Sequence, residues 1–568
     1  LPQGAIVLPG FDPMMSRRAR DVILGRGEEA DATGAPSHPQ HGMLRLIDAL
    51  GASPDDIRDL GPGAFEQADR EALSLRDGLV GHALCPAEIT DEWPQVMAAI
   101  PVDERRRAFA GVSLVGARNE ADEALTIALA LREAIGQGRT AALVTPDRTL
   151  ARRVIGELAR WQIVADDSAG RPLDQTAPGV LARLAAGLAL EGLDPVALLA
   201  LLKHPLSRLG LPAKEIRSAA RALERAVLRG PRPRGGSEGL RQAVVAARDL
   251  ALSDDSGHMP RWKDIHDDDW EAVVDLVERL CAALEPLESL ADQRGPVDVS
   301  RLVTAHERVL AAIARDETGD VSELYAGEAG EGLAGAFAEM LAAHPAGLAV
   351  PPRDWPAVFQ ALVSGINVRR SLPGDPRIAI LGPMEARLQA FDRVVLGGLN
   401  EGTWPQSTRN DPWLSRPMKH GIGLDPPERR IGGAAHDFTQ GLGAGEVILS
   451  RAERADGAPT VPSRWLLRLT TLLGAEVSGE MRMRGERLRT LAAHLDVSAS
   501  PVPAPRPEPV PPVEARPPRI SVTEVETLIR DPYAVYARRV LALDPVDPIG
   551  GDPGAAEKGT LIHDCLAA

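Results

Sequence analysis

Two places in this chain carry side chains suited to binding a divalent cation. Asp166 and Asp167 are adjacent carboxylates, and His563 follows Gly559 by four positions where the pattern indicates the start of a helix. Paired carboxylates can bind a cation, but adjacent residues of an extended segment point to opposite sides, which favours capping and turn roles for both aspartates. One histidine is not a site, so His563 taken alone is expected to be a surface or capping residue.

Arginine supplies nearly all of the positive charge. Lys and Arg total 64, with lysine only at 203, 214, 263, 419 and 558, and arginines cluster at 105–107, at 232 and 234, and at 482, 484, 487 and 489. Guanidinium suits phosphate, but solvated faces are the default for each cluster, and a GC-rich genome is the simpler explanation of the bias. The net charge of -16 argues against general nucleic-acid coating, although it leaves room for a local basic channel.

Composition indicates a globular, multidomain protein of a reducing compartment. The 568 residues are 44% hydrophobic and 25% charged, and roughly 150 residues per domain suggests three or four domains. The three cysteines are too far apart in sequence for a disulfide framework. The apolar run at 179–202 is interrupted by Arg183, Glu191 and Asp194, so it predicts buried helices of a cytoplasmic protein and no membrane association. Because the chain begins without Met, we expect it to lack its true start.

Hydrophobic patterning predicts a parallel α/β sheet interrupted by helices. Residues 111–165 alternate strand, helix, strand and helix, with Asn119 as a helix cap, and short β-rich runs return at 377–383, 391–405 and 445–451. Another such run at 5–12 indicates an early strand. Between about 178 and 365 the pattern is almost wholly helical, which predicts an all-α insertion into one sheet.

The last part of the chain begins after a Pro-rich segment. Residues 499–518 have the composition of an extended linker. After it, the stretch from 519 reads as the start of a new domain, in which Ser521 or Thr523 caps an amphipathic helix.

Several of these segments together resemble a known family. VSLVGARNEADEALTIALALREAI, ALVTPDRTLARRV, GGLNEGTWP and DPPERRIGG, in this order around a helical insertion, resemble the second half of a superfamily 1 helicase. With KGTLIHDCL after the linker, nearly the whole chain is similar to the AddB subunits of bacterial AddAB helicase-nucleases, in their alphaproteobacterial form. The resemblance implies an α/β fold in which a helicase-like parallel-sheet domain carries a large all-α insertion and is followed by a PD-(D/E)XK, RecB-like nuclease domain.

The resemblance also implies domain boundaries. Residues 1–110 would end a first helicase-like domain, 111–210 and 366–498 would form the second, and 211–365 would be the inserted helical domain. After the linker at 499–518, residues 519–568 would begin the nuclease domain, whose remaining motifs, including its catalytic residues, we expect beyond Ala568.

No ATP site is expected within these residues. A G-x-x-x-x-G-K-[ST] loop holds nucleotide phosphates in helicase motors, and no Gly-Lys pair occurs in the chain. In the family's order that loop would lie upstream of Leu1. Where active relatives carry Thr-Arg in the last motif, this chain reads Thr439-Gln440, which implies a motor-shaped domain that does not drive translocation, with ATP used by the partner motor.

The GGLNEGTWP loop has two interpretations. In the family it lies near the DNA channel, so Asn400, Glu401 and Trp404 are candidate DNA contacts, with Trp404 offering a stacking face. The alternative is structural: Gly397, Gly398 and Gly402 make the turns, and Trp404 packs beneath the loop.

The RecB-like resemblance gives His563 a role that it lacks alone. In such nucleases a helix bearing G-x-x-x-H supplies a metal-binding His, and carboxylates and a Lys from a later hairpin complete the Mg²⁺ site that activates water. Many AddB proteins also have a cluster-binding Cys in an R-C-P-[FY] segment. Here Arg530-Asp531-Pro532-Tyr533 replaces it, so we expect no iron-sulfur cluster and an ordinary helical position for Cys565.

The resulting hypothesis is a subunit that pairs with an AddA-like helicase-nuclease and processes double-strand DNA ends for recombinational repair. Its helicase-like part would guide single-strand DNA, and its nuclease would be a Mg²⁺-dependent 5′-3′ exonuclease. The fragment alone would be inactive. The alternative is a non-enzymatic DNA-binding scaffold with decayed helicase and nuclease sites.

Overall fold

The fold is that of a computed structural model, which describes residues 6–26, 34–58, 67–252, 265–293, 295–342, 348–369, 374–408, 410–497, 500–543, 546–551, 554, 558–559, 562–563 and 565–566. The chain forms two compact units. The first, called here the sheet unit, comprises Leu1–Ala169 and Leu372–Val502. The second, the helical unit, comprises Gly170–Ser371 and Pro503–Ala568.

A parallel six-stranded sheet forms the core of the sheet unit. Its strands are β1 (Val112–Ala117), β2 (Ala141–Val144), β3 (Ala165–Asp167), β4 (Asp375–Leu381), β5 (Arg393–Leu396) and β6 (Glu446–Ala452). They lie in the order β1-β6-β5-β2-β4-β3, and every neighbouring pair is parallel. The central strands β2 and β5 are buried at every residue, as expected where helices cover both faces. The predicted parallel α/β sheet is confirmed.

Helices precede, connect and follow these strands. In the sheet unit before the insertion they are α1 (Arg17–Leu24), α2 (His41–Ala49), α3 (Gln67–Ala83), α4 (Trp93–Ala99), α5 (Val102–Ala108), α6 (Glu120–Gly136) and α7 (Arg148–Ala159). The helical unit contains α8 (Ala177–Leu190), α9 (Pro195–Leu202), α10 (Ala213–Leu223), α11 (Gly236–Ala251), α12 (Asp267–Ala291), α13 (Val299–Ala314), α14 (Gly327–Ala342) and α15 (Trp355–Ser364). The chain then adds α16 (Arg416–Gly421), α17 (Arg429–Gly441), α18 (Arg464–Leu495, kinked at Gly474), α19 (Val522–Arg530) and α20 (Pro532–Arg539).

The helices of the sheet unit cover both faces of the sheet. α6 and α7 pack through Ile127, Leu131 and Val154 into one core cluster, whereas α17 and α18 pack through Phe438 and Trp465 into another. α6 begins as predicted, because the side chain of Asn119 accepts the N–H of Asp122 at 2.9 Å. The arrangement is a doubly wound sheet.

The helical block lies between β3 and β4 and has its own core of Leu, Val and aromatic side chains. Its boundaries differ from the expected 211–365: the compact unit runs from Gly170 to Ser371, because α8 and α9 pack with the later helices rather than with the sheet. The strand predicted at 5–12 is absent from the described part, where residues 6–12 contain only a turn.

The region after the sheet unit contains an extended stretch and a capped helix. Residues 500–512 form no regular secondary structure, and nearly all of their side chains are exposed. At α19 Ser521 is the N-cap and forms a reciprocal capping box with Glu524. Among the described residues, no helix combines the length and apolarity that crossing a membrane requires.

Candidate functional site

The winding of the sheet points to one crevice. After β2 the chain passes through α7 toward β3 at one edge, and after β5 it passes through α17 toward β6 near the other edge. Neighbouring strands whose connections leave in opposite directions form a topological switch point, and α/β folds bind ligands at the carboxyl ends of such strands. At these ends Gly398 and Thr145 are neighbours, since a Cβ on Gly398 would lie 3.5 Å from Oγ1 of Thr145.

The loop after β5 requires its first two glycines. A Cβ on Gly397 would lie 2.9 Å from Cδ1 of Leu143, and Gly398 has φ +77°, a backbone conformation that favours glycine. This conformation directs the N–H of Gly398 to Oε1 of Glu123 at 3.0 Å. The loop is therefore fixed to the first turn of α6.

Glu123 is a buried carboxylate at the switch point that the sequence analysis missed. It is 2% exposed, and its Oε1 also accepts the hydroxyl of Ser450 at 2.8 Å. Burial raises the pKa of Glu123 to about 6, although the bonds from Gly398 and Ser450 oppose the shift. A signal was present in the sequence, because Glu123 is in helical register with the core residues Ile127 and Leu131.

Asn400 holds the loop to β6. Its Nδ2 donates to the carbonyl of Ala452 at 3.0 Å, and its Oδ1 accepts Nε of Arg451 at 3.0 Å. Arg451 in turn donates to Oγ1 of Thr460 at 2.9 Å, and burial lowers the pKa of Arg451. Both ends of the Asn400 amide are thus occupied by contacts within the chain.

Glu401 is also occupied within the chain. Its carboxylate accepts Nε of Arg464 at 3.0 Å and the N–H of Arg464 at 3.2 Å. These bonds from Arg464 lower the pKa of Glu401 despite partial burial. The carboxylate is a cap for α18 and would reach a DNA strand only if the pair opened.

Trp404 packs beneath the loop. It is 1% exposed, its ring lies edge-to-face with Phe438 at a centroid distance of 6.3 Å, and its Nε1 donates to the carbonyl of Ala434 at 3.4 Å. No free face remains for a base, so the structure favours the packing interpretation over stacking.

Another tryptophan of the same β5–α17 connection is exposed instead. Trp413 is 86% exposed and sits in a turn that Asp411 holds by accepting the N–H groups of Trp413 at 2.9 Å and Leu414 at 3.2 Å. Asp411 also pairs with Lys419 at 3.1 Å. Trp413 lies in an irregular segment without hydrophobic periodicity, so the sequence did not indicate that it is exposed.

The helix starts at this edge carry carboxylates. The first turn of α6 contains Glu120, Asp122 and Glu123. At α7 the side chain of Asp147 accepts the N–H groups of Thr149 at 2.8 Å and Leu150 at 3.1 Å. Phosphates bind to free N–H groups at helix starts. Here side chains of the chain itself accept such N–H groups.

Asp166 and Asp167 diverge, as their adjacency predicts. Asp167 makes a bidentate pair with Nη2 of Arg148 at 2.6 and 2.8 Å, whereas Asp166 is exposed. The two carboxylates are not brought together for a cation.

Most of the arginine clusters are used inside the chain. Arg106 pairs with Glu480 at 2.9 Å and Arg487 with Glu133 at 2.8 Å. Arg484 donates to the carbonyls of Val112 and Phe109, each at 2.9 Å, along the free edge of β1. Arg232 donates to the carbonyl of Leu193 at 3.1 Å. These bonds leave few of the clustered guanidinium groups free for phosphate.

The remaining candidates are Thr439, Gln440 and His563. Gln440 packs over Gly10, where an added Cβ would lie 1.8 Å from its Nε2, and Thr439 donates to the carbonyl of His436 at 2.8 Å. His563 is exposed in a short helical stretch. Within the described ranges, no three His, Cys, Asp or Glu side chains are grouped to hold a metal ion.

Comparison with known proteins gives distant similarity. No family model matches the chain. An uncharacterized protein of Rickettsia conorii is 29% identical over 215 residues, and one of Rickettsia felis is 27% identical over 221 residues. Each match covers 38% of this chain but only 24% and 25% of the respective relative. The chain thus matches about a quarter of the length of these curated relatives.

Proposed function

We propose that this chain is part of an AddB-type subunit of a helicase-nuclease that processes double-strand DNA ends. One observation carries the proposal: two of the segments that carry the helicase resemblance meet at the switch point. Thr145 belongs to ALVTPDRTLARRV and Gly398 to GGLNEGTWP, and they are neighbours at the carboxyl ends of β2 and β5. Segments far apart in the chain thus meet at the place where α/β folds bind their ligands.

In this proposal the sheet unit guides DNA and does not hydrolyse ATP. Gln440, in place of an arginine, packs on Gly10, and carboxylates stand at the starts of α6 and α7. The AddA-like partner would supply the ATP-driven motor. In the connection after β5, Trp413 is an aromatic side chain exposed enough to contact a single strand.

The nuclease would use Mg²⁺, which activates water and neutralises charge on the phosphate. His563 is the ligand that the described residues would contribute, and its exposed side chain is free to turn toward a metal. A lone imidazole does not make a magnesium site. The proposal therefore also requires the carboxylates of the later hairpin that the family carries.

A second candidate is a DNA-binding scaffold without enzymatic sites. It is favoured by the internal use of the loop after β5: Asn400 bonds to β6 and Glu401 pairs with Arg464. Loops that serve catalysis usually keep polar groups free for substrate.

The test uses the full-length subunit with its AddA-like partner, ATP, Mg²⁺ and DNA labelled at its 5′ ends. We expect wild type to release short labelled fragments and His563→Ala to unwind DNA without releasing them. The matched control is His494→Ala, an exposed helical histidine of the sheet unit, which should cleave as wild type does. If His563→Ala cleaves as wild type does, the nuclease role fails and the scaffold is the better description.

A further inference from the structure

Residues 546–551, which follow the Pro-rich linker, lie against a loop of the helical unit. The N–H of Gly230 donates to the carbonyl of Pro548 at 3.0 Å, and the N–H of Gly550 donates to the carbonyl of Leu228 at 3.0 Å. Arg229 and Ile549 are thereby opposite each other in an antiparallel β-bridge. A second isolated bridge, parallel, pairs Pro231 with Gly551, so the two segments are joined by backbone contacts without forming a regular ladder.

The end of α10 makes this loop available. After Leu223 the helix continues as a π-helical turn, Glu224–Leu228, and the chain leaves it at Arg229 with extended backbone, φ -92° and ψ 132°. The carbonyl of Leu228 and the N–H of Gly230 then face outward like the edge of a strand, which accepts another extended segment.

Side chains hold Arg229 toward the segment. Its Nη1 donates to the carbonyl of Asp547 at 2.9 Å, and its Nη2 donates to Oε1 of Glu224 at 2.5 Å. Lys203 donates to the same carboxylate at 2.8 Å. Burial opposes ionisation of Glu224, but the bonds from Lys203 and Arg229 outweigh it and lower the pKa of Glu224. Glu224 therefore stays charged and orients Arg229.

Two residues of the segment are fitted to the surface. Ile549 packs against the core cluster of the helical unit. Gly550 has φ +61°, and a Cβ there would lie 3.2 Å from Cγ of Pro195, so a larger residue would strain the backbone and crowd α9.

We propose that the loop at 228–231 is an intramolecular docking site for residues 546–551, which it holds through backbone hydrogen bonds. The occupant is this chain itself, because its own residues make the bonds. Two backbone bonds and one apolar side chain would bind weakly between separate molecules, but a tether raises the effective concentration to about millimolar. Docking attaches the chain to the helical unit twelve residues before His563. The inference does not depend on the proposed function.

The first test is a disulfide between opposite residues. Non-hydrogen-bonded antiparallel pairs have Cα atoms about 4.5 Å apart, within the range that a disulfide spans. In the full chain, Arg229→Cys with Ile549→Cys should give the 229–549 cross-linked peptide on mild oxidation. Arg229→Cys with Val510→Cys, in the exposed linker, is the matched control. We expect at least a tenfold excess of the first product, and equal yields would overturn the proposal.

The second test needs no change at Arg229. Hydrogen exchange measured by mass spectrometry should show protection of the peptide covering 546–551 in wild type, and its loss in Ile549→Asp. Val546→Asp, at a position 67% exposed, should keep the protection. Absence of protection in wild type would show that the segment is undocked in solution. Neither readout involves nuclease activity, so this inference and the proposed function fail separately.

Discussion

The N–H of Gly398 donates to Oε1 of Glu123 across 3.0 Å, and this bond joins the first turn of α6 to the loop after β5. The same carboxylate accepts the hydroxyl of Ser450 on β6. One buried side chain therefore fixes three elements at the carboxyl end of the sheet. Any ligand that binds at these strand ends meets a loop that this buried carboxylate holds in place.

Glu123 should make stability fall as pH rises. Burial raises its pKa from 4.5 to about 6, so between these values the native chain holds a proton that the unfolded chain has released. The stability contribution of Glu123 is full below pH 4.5 and is lost as pH rises to about 6, by about 2 kcal/mol. Glu123→Gln removes this titration, so the thermal unfolding midpoint of the variant minus that of wild type should increase over this interval and then level off.

The control for that comparison is Glu120→Gln, which lies in the same first turn but is half-buried. It makes the same carboxyl-to-amide change outside the hydrogen bonds from Gly398 and Ser450. If the difference in unfolding midpoint between Glu123→Gln and wild type does not change with pH, the pKa of Glu123 is not raised. A constant difference caused by the amide itself does not affect this comparison.

The sheet was predictable because its strands and helices carry strong periodic patterns. Short buried runs such as Arg393–Leu396 and the capped helix after Asn119 depend on local sequence, and local signals identify them. The roles of Asn400 and Trp404 were not predictable in this way. Their partners are distant in sequence: Asn400 bonds to Ala452, and Trp404 contacts Phe438. Only the folded chain shows which polar groups such contacts occupy.

The boundary of the helical unit shows the same limit. Its helical character was evident, but α8 and α9 read equally well as part of the sheet unit. An apolar face predicts that a helix packs against something. Which element it packs against is decided by tertiary contacts.

The two tryptophans after β5 should respond oppositely to substitution. Trp413→Ala removes a side chain that is 86% exposed, so the unfolding midpoint should hardly change. Trp404→Ala empties a buried site, which costs about 3–5 kcal/mol. If the connection contacts single-strand DNA, Trp413→Ala should weaken binding severalfold, since stacking contributes about 1–3 kcal/mol per base.

Fluorescence anisotropy with a labelled oligonucleotide measures that binding. Trp404→Phe, which keeps the buried ring, is the matched variant and should bind as wild type does. Unchanged affinity in Trp413→Ala would remove this residue from the DNA path and favour a protein partner for its exposed face.

The helical unit should lose stability on acidification. His306 is fully buried beside Phe337 and Phe359, with Nε2 2.9 Å from the carbonyl of Ala182, and burial lowers its pKa to about 4. Between pH 6.5 and 4 the unfolded chain gains a proton that the native chain does not. The stability present above pH 6.5 is therefore lost as pH falls, by about 3 kcal/mol.

Pulse proteolysis followed by mass spectrometry measures this loss at α13 directly. His306→Gln keeps an N–H donor near Ala182 but does not titrate, so its cleavage should depend on pH less than that of wild type. Buried His38 and His41 of the sheet unit also have lowered pKa values, of about 3 and about 4, so both units should lose stability as pH falls from 6.5. A pH dependence of cleavage at α13 that His306→Gln leaves unchanged would contradict this role of His306.

Arg76 should be among the most sensitive positions of the sheet unit. It is 4% exposed, and its guanidinium donates to the carbonyls of Ala108 at 2.8 Å, Leu442 at 3.1 Å and Ala444 at 2.7 Å. Burial lowers its pKa to about 10, so it remains charged at neutral pH. Arg76→Met leaves three carbonyls without a donor, at about 1–3 kcal/mol for each group that stays buried.

Arg76→Lys separates the effect of the positive charge from the effect of the planar guanidinium geometry. An ammonium group keeps the charge, but it lacks the planar fork whose Nε and Nη1 reach different carbonyls, so its unfolding midpoint should lie between those of wild type and Arg76→Met. Arg153→Met, half-exposed beside Glu120 at 3.8 Å, is the surface control and should change the midpoint little. The prediction fails if the unfolding midpoint of Arg76→Met is no lower than that of Arg153→Met. In that case the three carbonyls find other donors, and the Arg76 side chain does not tie α3 to the α17–β6 turn.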